Sequence, residues 1–135
     1  LGKFIDLQAH KELTAADFMR TGVYTVSTRK GINECISKMQ RHNVDTLIVV
    51  DDQARYQGTV SIADIRLTGH VVQTIEPLIR CNTPTVHTGD SAKDCFDLLI
   101  SSGAPYLIVL NEEEKVDGII TKTSMASAMA EQLWG

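Results

Sequence analysis

The chain has 135 residues, 43% hydrophobic and 22% charged, and its 13 basic and 17 acidic residues leave a net charge of −4. A chain of this length buries a core without disulfide or metal staples, and an acidic balance with no basic block argues against a nucleic-acid or anionic-membrane surface. The longest apolar runs, TLIVV and YLIVL, are strand-length and far short of the ~20 residues of a membrane span, so no direct membrane insertion is expected.

Residues 1–13, LGKFIDLQAHKEL, open on Leu1 with no signal-peptide pattern and are expected to be a linker from a preceding domain. Cys35, Cys81 and Cys95 are odd in number and lack CxxC or Cys/His spacing, so they read as reduced, intracellular thiols.

From Thr14 the chain repeats itself. A shift of 60 places residues 14–65 on 74–125 without a gap. Thr14, Arg20, Thr25, Val26, Thr28, Cys35, Leu47, Ile48, Val49 and Gly58 meet identical residues at Thr74, Arg80, Thr85, Val86, Thr88, Cys95, Leu107, Ile108, Val109 and Gly118. The chain therefore divides into 14–73 and 74–135, two copies of one supersecondary unit.

Each copy is expected to open with a short helix; TAAD at 14–17 has the form of a capping box. A short strand follows in YTVS (24–27) and PTVH (84–87). Then comes an amphipathic helix with Ile32, Cys35, Ile36 and Met39 on one stripe, echoed by Ala92, Cys95, Phe96, Leu99 and Ile100. It should stop at Asn43 and Gly103, residue types that tolerate the left-handed cap. Strands TLIVVD (46–51) and YLIVLN (106–111) lead through polar turns into strands containing Gly58 and Gly118. Closing helices are expected over 62–73 and 122–134. Near-continuous apolar strands suggest sheets covered on both faces, so the expected fold is α/β (α+β), with two β-α-β-β-α repeats packed sheet to sheet about a pseudo-two-fold.

The last strand of each copy runs into GTVSIAD (58–64) or GIITKTS (118–124). A tandem repeat of this order, with a Gly-h-h-Ser/Thr-x-x-Asp signature after its last strand, resembles a pair of CBS domains, the Bateman module, over residues 14–134. The resemblance implies a regulatory sensor that binds adenine nucleotides between its repeats, pairs into dimeric discs and controls an attached protein. The opening TAADFMRTGVYTV, the acidic balance and the short C-terminal ending look like the tail of a bacterial osmoprotectant (glycine betaine, carnitine or choline) ABC-transporter ATPase subunit. That finer likeness implies cyclic di-AMP as effector, an attached N-terminal ATPase domain, transporter membrane subunits as partners and a place at the cytoplasmic face of the membrane.

Asp64 has two readings. In CBS pairs that bind AMP or ATP, the Asp of this signature accepts both ribose hydroxyls while the Ser or Thr, here Ser61, helps hold phosphate; a carboxylate is an acceptor-only fork suited to a vicinal diol. Equally, Ser61-x-x-Asp64 has the form of a capping box, worth about 0.5–2 kcal/mol with no ligand. The second copy has Ser124 instead, a departure that removes the carboxylate.

That copy offers other chemistry. Tyr106 stands where the first copy has Thr46; its ring either stacks on a purine, for about 1–3 kcal/mol, or sits partly in the core with its hydroxyl outward. Lys122 either meets phosphate as a flexible point charge or is a solvated lysine, set against the helix dipole. On the osmoprotectant resemblance, a cyclic di-AMP site would use Tyr106, Ile119, Thr121 and Lys122 with Val44 and Thr46, and Tyr24 as a neighbour. Val44 and Ile119 would supply apolar faces for adenine, and Thr46 and Thr121 hydroxyls. In relatives of that kind the ligand straddles the two-fold between second repeats, which implies a homodimer.

His10, His42, His70 and His87 are scattered without ligand spacing, so no metal site is expected. Cys35 and Cys95 read as small core hydrophobes, and EEE (112–114) as a solvated turn. No GxSxG or GxxxxGK[ST] is present, and no catalytic residue is expected. The alternatives are an AMP/ATP sensor using Ser61 and Asp64, and a dimerisation module without ligand.

Overall fold

The computed structural model describes residues 13–134, so the expected linker, Leu13 excepted, lies outside the described residues. In the first repeat β1 (Thr25–Ser27) runs parallel to β2 (Thr46–Val50), which pairs antiparallel with β3 (Tyr56–Ser61). In the second, β4 (Thr85–His87), β5 (Tyr106–Leu110) and β6 (Val116–Thr121) follow the same order. The registers correspond residue for residue: Thr25 opposes Ile48 as Thr85 opposes Ile108, and both hairpins shift register at the same place, Val49/Val50 and Val109/Leu110.

A parallel pair needs a crossover, supplied by α2 (Ile32–His42) and α4 (Ala92–Ser102). Both end on the expected left-handed residue, Asn43 at φ 54° and Gly103 at φ 66°. Helix α2 buries Ile32, Cys35 and Met39, and α4 buries Cys95 and Leu99. Phe96 and Ile100, expected on the core stripe of α4, are instead 48% and 55% exposed. The apolar stripe there is wider than the face that packs. Burial pushes the Cys35 thiol up in pKa and the Cys95 thiol up to about 11, as befits core residues.

Strand alternation divides the side chains between two interfaces. Leu47, Val49 and Val60 face the helices of the first repeat, and Leu107, Val109 and Ile120 those of the second. The opposite faces meet through Ile48, Ile108 and Leu110, which join the two sheets.

Repeat alignment alone does not tell which core each opening segment joins. In the structure they cross. The helix α1 (Ala15–Phe18) packs in the second core beside Val86, Cys95 and Leu99. Its backbone is tied there: Ala15 N–H donates to the Asp90 carbonyl at 2.8 Å, and Arg20 exchanges bonds with Ile119 at 2.7 and 3.0 Å. Reciprocally, Ile75 is fully buried in the first core, with its N–H on the Lys30 carbonyl at 3.0 Å, and Arg80 exchanges bonds with Thr59 at 2.9 and 2.8 Å.

The closing helices are unequal. Helix α5 spans Lys122–Trp134 as expected, but α3 covers only Ile62–Thr68, not 62–73. Gly69 begins a 3₁₀ turn (Gly69–Val71); glycine is a poor helix residue, and the chain beyond it must cross to pair at Thr74 and Arg80.

Candidate functional site

Two clefts flank the pseudo-two-fold, and Thr46 and Tyr106 line both. This follows from topology, because these repeat-related residues open the central strands β2 and β5. The larger cleft, about 480 Å³, is lined by Thr59, Ser61, Asp64, Arg80 and Thr83 as well. The smaller, about 280 Å³, adds Arg20, Tyr24, Val44, Ile48 and Ile119 and is more apolar.

Of the residues expected around cyclic di-AMP, Tyr24, Val44, Thr46, Tyr106 and Ile119 therefore converge on the smaller cleft. Thr121 and Lys122 are not among its lining residues. Lys122 is exposed at the start of α5, and the Thr121 hydroxyl is engaged in a cap: it accepts the Ser124 N–H at 2.9 Å. Ser124, buried, completes the box by accepting the Thr121 N–H at 2.9 Å and donating to the Thr121 carbonyl at 3.0 Å. Tyr24 stacks on His42, centroids 3.9 Å apart and planes 14° from parallel. Burial raises the pKa of the Tyr106 phenol, and a hydrogen bond from Thr83 opposes that rise.

In the first repeat the cap is made differently. Ser61 Oγ accepts the Asp64 N–H at 3.2 Å, while the Asp64 carboxylate turns to Arg80. Arg80 Nε donates to Oδ2 at 2.6 Å and a terminal guanidinium nitrogen to Oδ1 at 3.1 Å, a bidentate pair. The Arg80 hydrogen bonds hold the Asp64 carboxyl below the usual carboxylate range; burial opposes them, and the Arg80 charge and the Ser61 hydroxyl add smaller lowering effects.

Arg80, and its repeat mate Arg20 in the smaller cleft, were missed as site residues. A signal for them existed: both belong to the repeat identities and pair with β3 and β6 beside Gly58 and Gly118. His42, read as a scattered histidine, backs Tyr24 but is not among the lining residues of either cleft.

A third depression, about 610 Å³, is lined by Arg29, Asp51, Asp52, Arg55 and Glu76 among others. Two ion pairs span its charges, Arg29 on Glu76 at 3.3 Å and Arg55 on Asp51 at 3.0 Å. Among the described residues no cluster of His, Cys, Asp or Glu has the makings of a metal site, and no helix is long and apolar enough to cross a membrane.

The CBS domain family matches residues 15–68 and again 75–131. The glycine betaine/carnitine/choline transport ATP-binding protein OpuCA of Bacillus subtilis is 28% identical over 137 residues, covering all of this chain and 36% of that protein. The chain spans about a third of the length of such curated relatives. Among solved structures, Staphylococcus aureus OpuCA superposes with a TM-score of 0.74 at 18% identity, over 85% of this chain and 97% of that one. CBSX2, solved in complex with AMP, superposes at 0.76 with 21% identity, over 90% and 98%.

Proposed function

We propose, from the premise that the chain belongs to the CBS domain family, that it is a non-catalytic regulatory module binding an adenine nucleotide between its repeats. Residues 14–73 and 74–135 act as the two repeats and 1–13 as the link to an ATPase domain. That domain energises an osmoprotectant transporter from the cytoplasmic face of the membrane. The ligand is cyclic di-AMP, held in the smaller cleft of a homodimer. One observation carries the reading: Tyr24, Val44, Thr46, Tyr106 and Ile119, drawn from both repeats, line one largely apolar cleft with an aromatic ring for adenine. Likeness to osmoprotectant transport ATP-binding proteins supports the attached partner. Thr121 and Lys122 would have to reach the ligand from the rim.

Such a module regulates only if the ligand discriminates between two arrangements of the repeats or of the dimer. Calorimetric titration with cyclic di-AMP, AMP and ATP, alongside sedimentation, tests the reading. Saturable heat with cyclic di-AMP by a dimer is expected; no heat with cyclic di-AMP would sink it. A second reading, an AMP or ATP sensor, is favoured by the Asp64 carboxylate and Ser61 lining the larger cleft, and it predicts heat with AMP that Asp64→Ala abolishes.

A further inference from the structure

Tyr24 lines the smaller cleft while 38% exposed, so core packing alone does not fix its ring. Its main chain is set, because its carbonyl accepts the Ile48 N–H at 3.1 Å. The ring is set from behind: His42 covers one face, with centroids 3.9 Å apart and planes 14° from parallel. Resting on the reading above that adenine occupies the smaller cleft, we infer that His42 is a positioning residue for that ligand. It holds the Tyr24 ring as a fixed wall against which the base packs.

His42 is itself held. It ends α2, whose Cys35 and Met39 are buried in the first core. Asn43 then turns left-handed with its N–H on the Gln40 carbonyl at 3.3 Å, and the Val44 N–H reaches the Met39 carbonyl at 3.0 Å. Val44 lines the smaller cleft, so the turn that brings Val44 to the cleft also sets the imidazole behind Tyr24. An exposed ring that turns freely has to be frozen when a ligand packs on it, and that ordering weakens binding. A ring already stacked is ordered beforehand. Its far face and edge are left to the cleft, and a flat base is the group that suits them.

Repeat symmetry supplies an internal control. Position 24 corresponds to Pro84 and position 42 to Ser102. The Pro84 carbonyl accepts the Ile108 N–H at 3.1 Å, the same bond that Tyr24 makes in the first repeat. The larger cleft thus shares the backbone frame but has no aromatic pair at this corner, and Ser102 lines it directly. His42 therefore acts on the smaller cleft alone.

Calorimetric titration of the 135-residue chain with cyclic di-AMP tests this, using wild type, His42→Ser and His42→Phe, each also in a Tyr24→Ala background. Serine ends α4 at the matching place, so His42→Ser is expected to fold. It should bind about 2- to 10-fold more weakly than wild type, the scale of ordering one side chain. His42→Phe, which keeps a flat ring behind Tyr24, should stay within about twofold of wild type. With Tyr24→Ala in place, His42→Ser should have no further effect, because no ring is left to position. Affinity unchanged by His42→Ser, or weakened equally in both backgrounds, would overturn this inference alone. Failure of wild type to bind cyclic di-AMP overturns the reading above and this inference with it.

Discussion

Gly118 lies so close to the crossing segment that a Cβ built on it would stand 2.5 Å from the carbonyl oxygen of Arg20. Its repeat mate Gly58 would meet the Arg80 carbonyl at 2.6 Å and also has φ +144°. The signature glycines thus let each opening segment pair against the other repeat. Gly118→Ala should cost about 1–3 kcal/mol from overpacking, and Gly58→Ala more, since backbone strain adds about 1–3 kcal/mol. Urea denaturation of both variants reads the order; equal stability to wild type at either position would refute it.

Tyr106 lines both clefts, so Tyr106→Ala should weaken any adenine ligand, whichever cleft it occupies. A lost base stack is worth about 1–3 kcal/mol, roughly 5- to 150-fold in affinity. Calorimetry with the wild-type ligand measures it, and Tyr106→Phe should retain most of the affinity.

Ser124 closes a capping box with Thr121 from a buried position. Ser124→Ala should cost about 0.5–2 kcal/mol, the range for a lost cap, because the Thr121 N–H loses its side-chain acceptor. Thermal unfolding without ligand measures this, since the role is structural.

Tyr56 stands at the join of the two sheets, and among the described residues its hydroxyl is buried without a partner. Burial pushes its pKa up to about 12. An unmet buried hydroxyl costs about 1–3 kcal/mol, so Tyr56→Phe should unfold at a temperature equal to or above wild type. A clear loss of stability would show that the hydroxyl has a partner in solution.

His87 Nε2 lies 2.9 Å from Glu114 Oε1, a bond that raises the histidine pKa above its ordinary value. The stabilisation is fully present below the ordinary histidine pKa and is lost as pH rises through the raised one. The pair is solvent-exposed, so the effect on stability is small. NMR titration of the imidazole should find the raised value, and Glu114→Gln should lower it.

Much of this architecture is written in periodicity. The sixty-residue identities fix both sheets, both crossover helices and their Asn43 and Gly103 stops, because those features depend on local pattern and cap chemistry. The crossing of α1 was not legible: Ala15 and Phe18 look equally apolar to either core, and only tertiary packing chooses. The end of α3 depends on Gly69 and on the crossing beyond it, which the repeat alignment does not show. At the site, Thr46 and Tyr106 open the two central strands, while Tyr24, Val44 and Ile119 were named only through the family resemblance and meet them in the smaller cleft. The Asp64–Arg80 pair was not, since it joins residues sixteen apart across a chain crossing. The carboxylate of GTVSIAD proves to be neither a bare cap nor a vacant acceptor; Ser61 caps the helix and Arg80 takes the acid.

The interlocked docking of α1 also sets an order of events during synthesis. Its contacts lie with Val86, Cys95 and Leu99, so α1 is made some seventy residues before the surface it covers. The first sheet can pair as soon as Ser61 is made, but Ile75 must follow before that core is sealed. Such long-range closure slows folding and leaves Phe18 uncovered in a nascent chain. Neither half cut at the repeat boundary would be a fair surrogate for the pair: one would lack Ile75, the other α1.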